Sequence, residues 1–246
     1  MEFIDLHIHL QDYEENFATD IVKKAQKSGL KKMVCAATSP DDWQKVADFA
    51  SQYPDMIIPA FGVHPWQVAD ISADWSEQLR RYLNIFPSAL IGETGLDGLK
   101  PDFELQQKFF SIHLQLAQEY NRPIVIHSVK AVTELNQFWH QMPLKFMIHS
   151  FNGRAEHLRN ILLHGGYISF SASILKNQDM ENIIKTVPLS RILLESDGPY
   201  QAFNKGEFSS PFFIIEMLHR FAQTLNLKVE DLSQQIYNNS LEFIND

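Results

Sequence analysis

The residues best suited to chemistry stand at the start of the chain, in Phe3-Ile-Asp-Leu-His-Ile-His-Leu10. Phe3, Ile4, Leu6, Ile8 and Leu10 read as a buried strand. Residues two apart on a strand point to the same side of the sheet, so Asp5, His7 and His9 are expected to share one face. Two neutral imidazoles converging on a point chelate a divalent transition metal. The same spacing also suits two core histidines satisfied by their neighbours, so the rest of the chain has to decide.

Further down, His64, His127 and His149 fall at or near the ends of apolar runs, and so do Glu93 and Asp197. An acidic group at the inner end of a buried strand is costly unless paired or bound to a cation. Four imidazoles (His7, His9, His127 and His149) and two carboxylates exceed what one tetrahedral metal needs. A shared carboxylate can hold two metals about 4 Å apart. A network of buried salt bridges is the bland alternative, and six such groups on one face make it an expensive one. The other histidines, His113, His140, His157, His164 and His219, lie in helical stretches and read as surface or packing residues.

Positioning these groups requires the strands that carry them. Apolar runs recur at Phe3–Leu10, Lys32–Thr38, Ile57–His64, Ala89–Leu96, Pro123–His127, Lys145–His149, Tyr167–Ser171 and Arg191–Asp197. Helical patterns separate them: Asn16 to Ser28 ended by Gly29, Pro40 to Gln52, Asp74 to Phe86, Phe103 to Tyr120, Ala131 to Gln141, Arg154 to before Gly165, and Asp179 to Thr186. Two more, Pro211 to Leu225 and Val229 to Phe243, finish the chain. Strands separated by helices pair in parallel, because each crossover returns the chain to the same end. Eight such units in 246 residues predict an α/β fold of the TIM-type (β/α)8 barrel, one domain over residues 1–246. A doubly wound open sheet is the alternative. In a barrel the carboxyl ends of the strands meet on one face, where active sites are built.

The bulk numbers fit a globular enzyme, with 45% hydrophobic and 21% charged residues. A net charge of −9 argues against coating long nucleic acid through a basic surface, though not against gripping a phosphate through bound cations. The single cysteine, Cys35, precludes an internal disulfide and suits a reducing compartment. No signal peptide or membrane-spanning run is evident, so a cytoplasmic protein with no membrane contact and no obligate protein partner is expected.

Seven motifs follow one another in a set order: Asp-Leu-His-Ile-His (5–9), Gly-Val-His-Pro (62–65), Ile-Gly-Glu-Thr-Gly-Leu-Asp (91–97), Ile-Val-Ile-His-Ser (124–128), Ile-His-Ser-Phe (148–151), Gly-Tyr-Ile-Ser-Phe-Ser (166–171) and Leu-Leu-Glu-Ser-Asp-Gly-Pro-Tyr (193–200). Together they closely resemble the TatD family of metal-dependent hydrolases. The first motif alone would also suit a PHP-type phosphoesterase; the last favours TatD. The resemblance implies a metallo-dependent hydrolase barrel with two divalent ions, Zn, Mg or Mn. His7, His9 and Asp197 would hold one ion and His127 and His149 the other, with Glu93 bridging. His64 resembles a substrate-side histidine that meets a phosphate, and Asp5 would orient a ligand imidazole.

The implied activity is cleavage of phosphodiester bonds in DNA or a small phosphodiester, with Asp197 as general base and Glu93 and His64 in the catalytic set. A hydrolase of an amide, ester or lactone on the same centre is the rival reading, and a non-catalytic metal-stabilised or partner-binding protein is a third. Lys100, Lys130, Lys176, Arg154 and Lys205 lie where they can hold flanking phosphates or be ordinary solvated charges; Trp66, Phe151 and Tyr200 can stack an unpaired base, though Trp66 and Phe151 equally suit packing under the loops. Two places depart from the family pattern. Gly98 follows Gly-Leu-Asp where a tyrosine is usual, and the loop at 204–211 lacks the usual arginine and later asparagine.

Overall fold

The computed structural model describes residues 1–204 and 206–245, Gln26 by its backbone alone. Eight strands form one sheet in the order of the chain: β1 (Phe3–Ile8), β2 (Leu30–Ala36), β3 (Ile57–Phe61), β4 (Leu90–Asp97), β5 (Ile124–Val129), β6 (Phe146–Ile148), β7 (Tyr167–Phe170) and β8 (Ile192–Leu194). Every neighbouring pair is parallel. Beyond β8 the chain returns to β1: the Asp197 N–H donates to the His7 carbonyl at 2.9 Å, and the His9 N–H to the Gly198 carbonyl at 2.8 Å. The sheet is thus a nearly closed barrel, and the open doubly wound alternative is excluded.

Helices α1 (Glu15–Ser28), α2 (Pro40–Gln52), α3 (Trp75–Ile85), α4 (Phe103–Glu119), α5 (Ala155–Leu163), α6 (Met180–Thr186), α7 (Phe213–Leu225) and α8 (Val229–Ile244) fall where the apolar periodicity places them. Local chemistry sets their ends. The Asp42 carboxylate accepts the N–H groups of Thr38 and Ser39, ahead of Pro40 in the first turn of α2. One expected helix differs: the stretch from Ala131 to Gln141 forms a 3-10 helix over Glu134–Gln141. Asn136, Phe138, Trp139 and His140 are indifferent α-helix formers, and the Asn136 side chain is engaged with the Trp139 indole at 2.9 Å.

The strands are apolar on both faces because both are covered. The outer face packs against the helices through Met33, Ile57, Ile91, Ile124, Ile148, Ile168 and Leu194. The inner face brings together Ile4, Leu6, Val34, Ile58, Leu90, Val125, Met147 and Leu193, with Phe243 of α8.

Simple alternation then delivers His127 after inward Val125, and His149 after inward Met147. In β1 and β4 alternation is broken. The β1–β2 register shifts between Asp5 and Ile8, and the β4–β5 register shifts between Ile91 and Thr94. Such irregularities re-aim side chains beside active sites. Ile4 and Leu6 lie in the inner cluster but Ile8 in the outer one, so the break brings His7 inward and leaves Asp5 off its face. The expectation that Asp5, His7 and His9 share one face is therefore wrong for Asp5, because strict period-two counting fails across a register shift.

At Gly95, φ is 144°, and an added Cβ would meet the His127 carbonyl oxygen at 2.0 Å. Gly95→Ala is expected to cost more than about 3 kcal/mol, by forcing β4 from β5 in a conformation side chains resist. A shift in the urea midpoint would measure it.

Candidate metal centre

His7, His9, Glu93, His127, His149 and Asp197 all come together at the carboxyl end of the barrel and are all buried. His7 Nε2 stands 3.0 Å from His9 Nε2, 3.3 Å from Glu93 Oε2 and 3.8 Å from Asp197 Oδ1. His9 Nε2 is 3.5 Å from Glu93 Oε2 and 3.6 Å from Asp197 Oδ1. The other Glu93 oxygen, Oε1, lies 2.9 Å from His127 Nδ1 and 2.8 Å from His149 Nε2. Glu93 thus faces His7 and His9 with one oxygen and His127 and His149 with the other.

The outward nitrogens show which lone pairs point in. His9 Nδ1 donates to the Ala36 carbonyl at 2.8 Å. His149 Nδ1 faces the buried Glu195 Oε1 at 3.3 Å. His127 Nε2 faces Asp97 Oδ2 at 3.4 Å. The outward nitrogens of His9 and His149 bond to acceptors and carry the hydrogen, so their inward nitrogens present lone pairs when the rings are neutral. Among the described residues, His127 Nε2 is near Asp97 without a hydrogen bond, and His7 Nδ1 has no hydrogen-bond partner. Lone pairs and carboxylate oxygens packed together repel unless a cation lies among them, and this donor set suits divalent ions. Groups of these residues satisfy ligand spacing, among them His7, His9 and Asp197, and His7, Glu93 and His149.

His64 differs. It is buried in the same cluster, with Nε2 3.2 Å from Glu93 Oε1. Its Nδ1, however, accepts the Trp66 N–H at 3.2 Å, which leaves the neutral ring's hydrogen on Nε2. Nε2 is therefore a donor and not a free lone pair.

The electrostatics favour positive charge. Burial opposes ionisation of Glu93, but the fields of His149, His64 and His7 hold it well below the usual carboxylate range. Burial likewise opposes Asp197, and the bond from His9 with the fields of His149 and His7 brings it below its ordinary value. Burial depresses His9, yet Asp197 and Glu93 outweigh it and raise the ring to about 9. His149 is driven well above its ordinary value against burial, by Glu93 and Glu195. His64 alone of the cluster's shifted histidines is lowered, by burial only partly countered by Glu93.

Other sequence expectations divide. Asp5 does not touch a ring: its carboxylate accepts the His7 N–H at 3.2 Å, the Ser196 N–H at 2.9 Å and the Ser196 hydroxyl at 2.5 Å. It braces the barrel closure instead. Phe151 is buried in the outer core and offers no stacking surface, whereas Trp66 and Tyr200 are exposed at the cavity wall. Lys176 donates to the Ala202 carbonyl at 3.0 Å, Arg154 lies 3.6 Å from Glu156, and Lys205 lies outside the described residues.

Glu195 and Asp97, the carboxylates behind His149 and His127, were not expected as site residues. Their signal is their place in the motifs: Glu195 stands two before Asp197, and Asp97 closes the run that holds Glu93.

His113 is the helical histidine that matters. Fully buried on α4, it donates from Nδ1 to the Phe109 carbonyl at 2.7 Å and accepts the Val63 N–H on Nε2 at 3.0 Å. It thereby fixes the turn that presents His64. Burial depresses it to about 4. The unfolded chain then binds the extra proton first as pH falls from about 6.5 toward 4, so folding stability declines over that window, by on the order of 3 kcal/mol in all. Thermal unfolding of His113→Gln, which keeps a donor and an acceptor but cannot titrate, is expected to show a shallower decline there than the unaltered protein.

The family model described as TatD related DNase matches residues 4–245. The chain belongs to the TatD family. Among TatD relatives, the human deoxyribonuclease TATDN3 is 26% identical over 256 residues, spanning 97% of this chain and 93% of its own. The 3'-5' ssDNA/RNA exonuclease TatD of Erwinia tasmaniensis is 28% identical over 195 residues, 75% of each chain. The crystal structure of YjjV, a TatD homologue from Escherichia coli K12, superposes with a TM-score of 0.90 at 25% identity, covering 98% of this chain and 97% of that one. This chain is accordingly a metal-dependent hydrolase of the TatD family.

Proposed function

We propose that this TatD-family hydrolase is a nuclease that cleaves phosphodiester bonds of DNA at a centre holding two divalent ions. The observation that carries the reading is the inward set of imidazole lone pairs around the two-sided Glu93 carboxylate. His7, His9 and Asp197 would hold one ion and His127 and His149 the other, with Glu93 serving both. The names of the human and Erwinia relatives support a nucleic-acid substrate. Zn, Mg and Mn all suit this mixed donor set. We read residues 1–246 as one domain acting in the cytoplasm without an obligate protein partner; among the described residues no helix is long and apolar enough to cross a membrane.

Ions held there would supply water acidified to near-neutral pKa and positive charge toward the phosphoryl group. The protein's own groups do the rest. Asp197, ionised at neutral pH, accepts the proton released by the attacking water. His64, neutral and carrying its hydrogen on Nε2, donates to a phosphoryl oxygen as charge grows there. The scissile group sits in a cavity of about 510 Å³ lined by His9, His64, Glu93, His127, His149 and Asp197.

The test is a panel of single-stranded oligonucleotides and of amide, ester and lactone substrates, with Mg²⁺, Mn²⁺ or Zn²⁺. Phosphodiester cleavage is expected, abolished by chelation and restored by adding the ion back. Acyl hydrolysis without phosphodiester cleavage would assign the centre to the rival chemistry.

A further inference from the structure

Trp66 is out of place for a packing residue. Trp43 and Trp75 are 0% and 4% exposed, whereas Trp66, just beyond β3, is 55% exposed. It stands in the wall of the cavity that holds the metal centre, its ring centroid 5.1 Å from that of His64 and 6.4 Å from that of His127. An exposed indole loses stacking energy if it swings freely, and this one does not. Its Nε1–H donates to Asp97 Oδ2 at 2.6 Å, and the buried Asp97 is itself fixed by the Leu99 N–H at 2.9 Å. The plane of the ring is thus set by a carboxylate that also backs His127.

The ring carries a cation. Lys100 Nζ lies 3.9 Å from the indole centroid, at the tip of an exposed side chain. Gly98 lets the turn after β4 run close to the next strand's end: an added Cβ there would meet the Lys130 carbonyl at 2.7 Å. The turn therefore carries Lys100 to the indole without a bulky residue at 98. The wall beside His127 combines an anchored aromatic plane with the positive charge of a long, exposed side chain, next to where the scissile phosphate is bound. A single nucleotide presents the complementary pair, a planar base and a phosphate.

We infer that Trp66 is the platform on which the substrate nucleobase beside the scissile phosphate stacks, and that Lys100 leaves the indole to meet the neighbouring phosphate. This inference rests on the nuclease reading above. The exchange is favourable because an exposed cation–π contact is worth less than stacking a base on an aromatic side chain. The displaced ammonium then gains a phosphate partner. A base inside a duplex cannot lend its face this way without unstacking, so the platform serves an unpaired nucleotide.

The test is a cycle of two deletions. Thymidine hexanucleotides, intact or with one abasic residue moved through each position, are assayed with Mn²⁺ against the unaltered enzyme, Trp66→Ala and Trp66→Phe. For the unaltered enzyme, one abasic position is expected to raise KM by roughly 5- to 150-fold with little change in kcat. Trp66→Ala raises KM on the intact strand by a similar factor and is indifferent to that abasic position, while Trp66→Phe keeps most of the effect. Lys100→Met lowers the slope of log(1/KM) against log salt by about 0.7, the loss of one phosphate contact on a single strand. Equal abasic penalties in the unaltered enzyme and Trp66→Ala would overturn the platform while leaving the nuclease reading intact. Acyl hydrolysis with no cleavage of any oligonucleotide would overturn both.

Discussion

Asp197→Asn is expected to lower kcat on a single-stranded oligonucleotide by about 10²- to 10⁴-fold, the range for loss of a positioned proton acceptor. The reason lies in what the substitution keeps. An amide has the shape of the carboxylate, and its carbonyl oxygen can still face His7 and His9 at the 3.6 to 3.8 Å now spanned by Oδ1. It cannot take a proton near neutral pH. Barrel closure at this point rests on the backbone, through the Asp197 N–H to the His7 carbonyl, and on Asp5 gripping Ser196. The variant should therefore fold, with KM much less affected than kcat. Full turnover by Asp197→Asn would remove it from the proton-accepting role.

Glu93→Gln is expected to lower activity by more than about 10³-fold and also to reduce the metal bound, because a carboxylate shared by two ions would serve both. Glu93 faces His7 and His9 with one oxygen, and His127 and His149 with the other. Its replacement by a neutral amide also removes the leading field that holds His149 above its ordinary value. Elemental analysis of the purified variant measures the metal loss directly. Two ions per chain with unchanged activity would contradict the bridging role.

Much of this was legible in the residues because burial on both faces leaves a strong mark. A strand such as Ile124-Val-Ile-His127 has no reason to end in histidine unless that end does something, and the same holds for Ile148-His149 and for Glu93 within its apolar run. The eight-unit alternation dictated the barrel, and the barrel dictated that those ends meet.

What escaped the sequence depends on geometry that spacing does not carry. Period-two counting put Asp5 beside His7, but a register shift within β1 turned it aside, and its carboxylate serves backbone donors. His113 looked like any helical histidine; only packing shows that it is buried and holds the turn before His64. Phe151 lies in a mouth motif yet points into the core. By sequence Trp66 suits stacking and packing equally, and its anchorage by Asp97 joins residues 31 positions apart that no local pattern connects.

The most direct measurement is anomalous X-ray diffraction from crystals grown with excess Mn²⁺. Two peaks are predicted in the barrel mouth, one bonded to His7, His9 and Asp197, the other to His127 and His149, with Glu93 between them and His64 outside bonding distance of both. A mouth with no peak, or a single ion bound through His64 Nε2, would contradict the account.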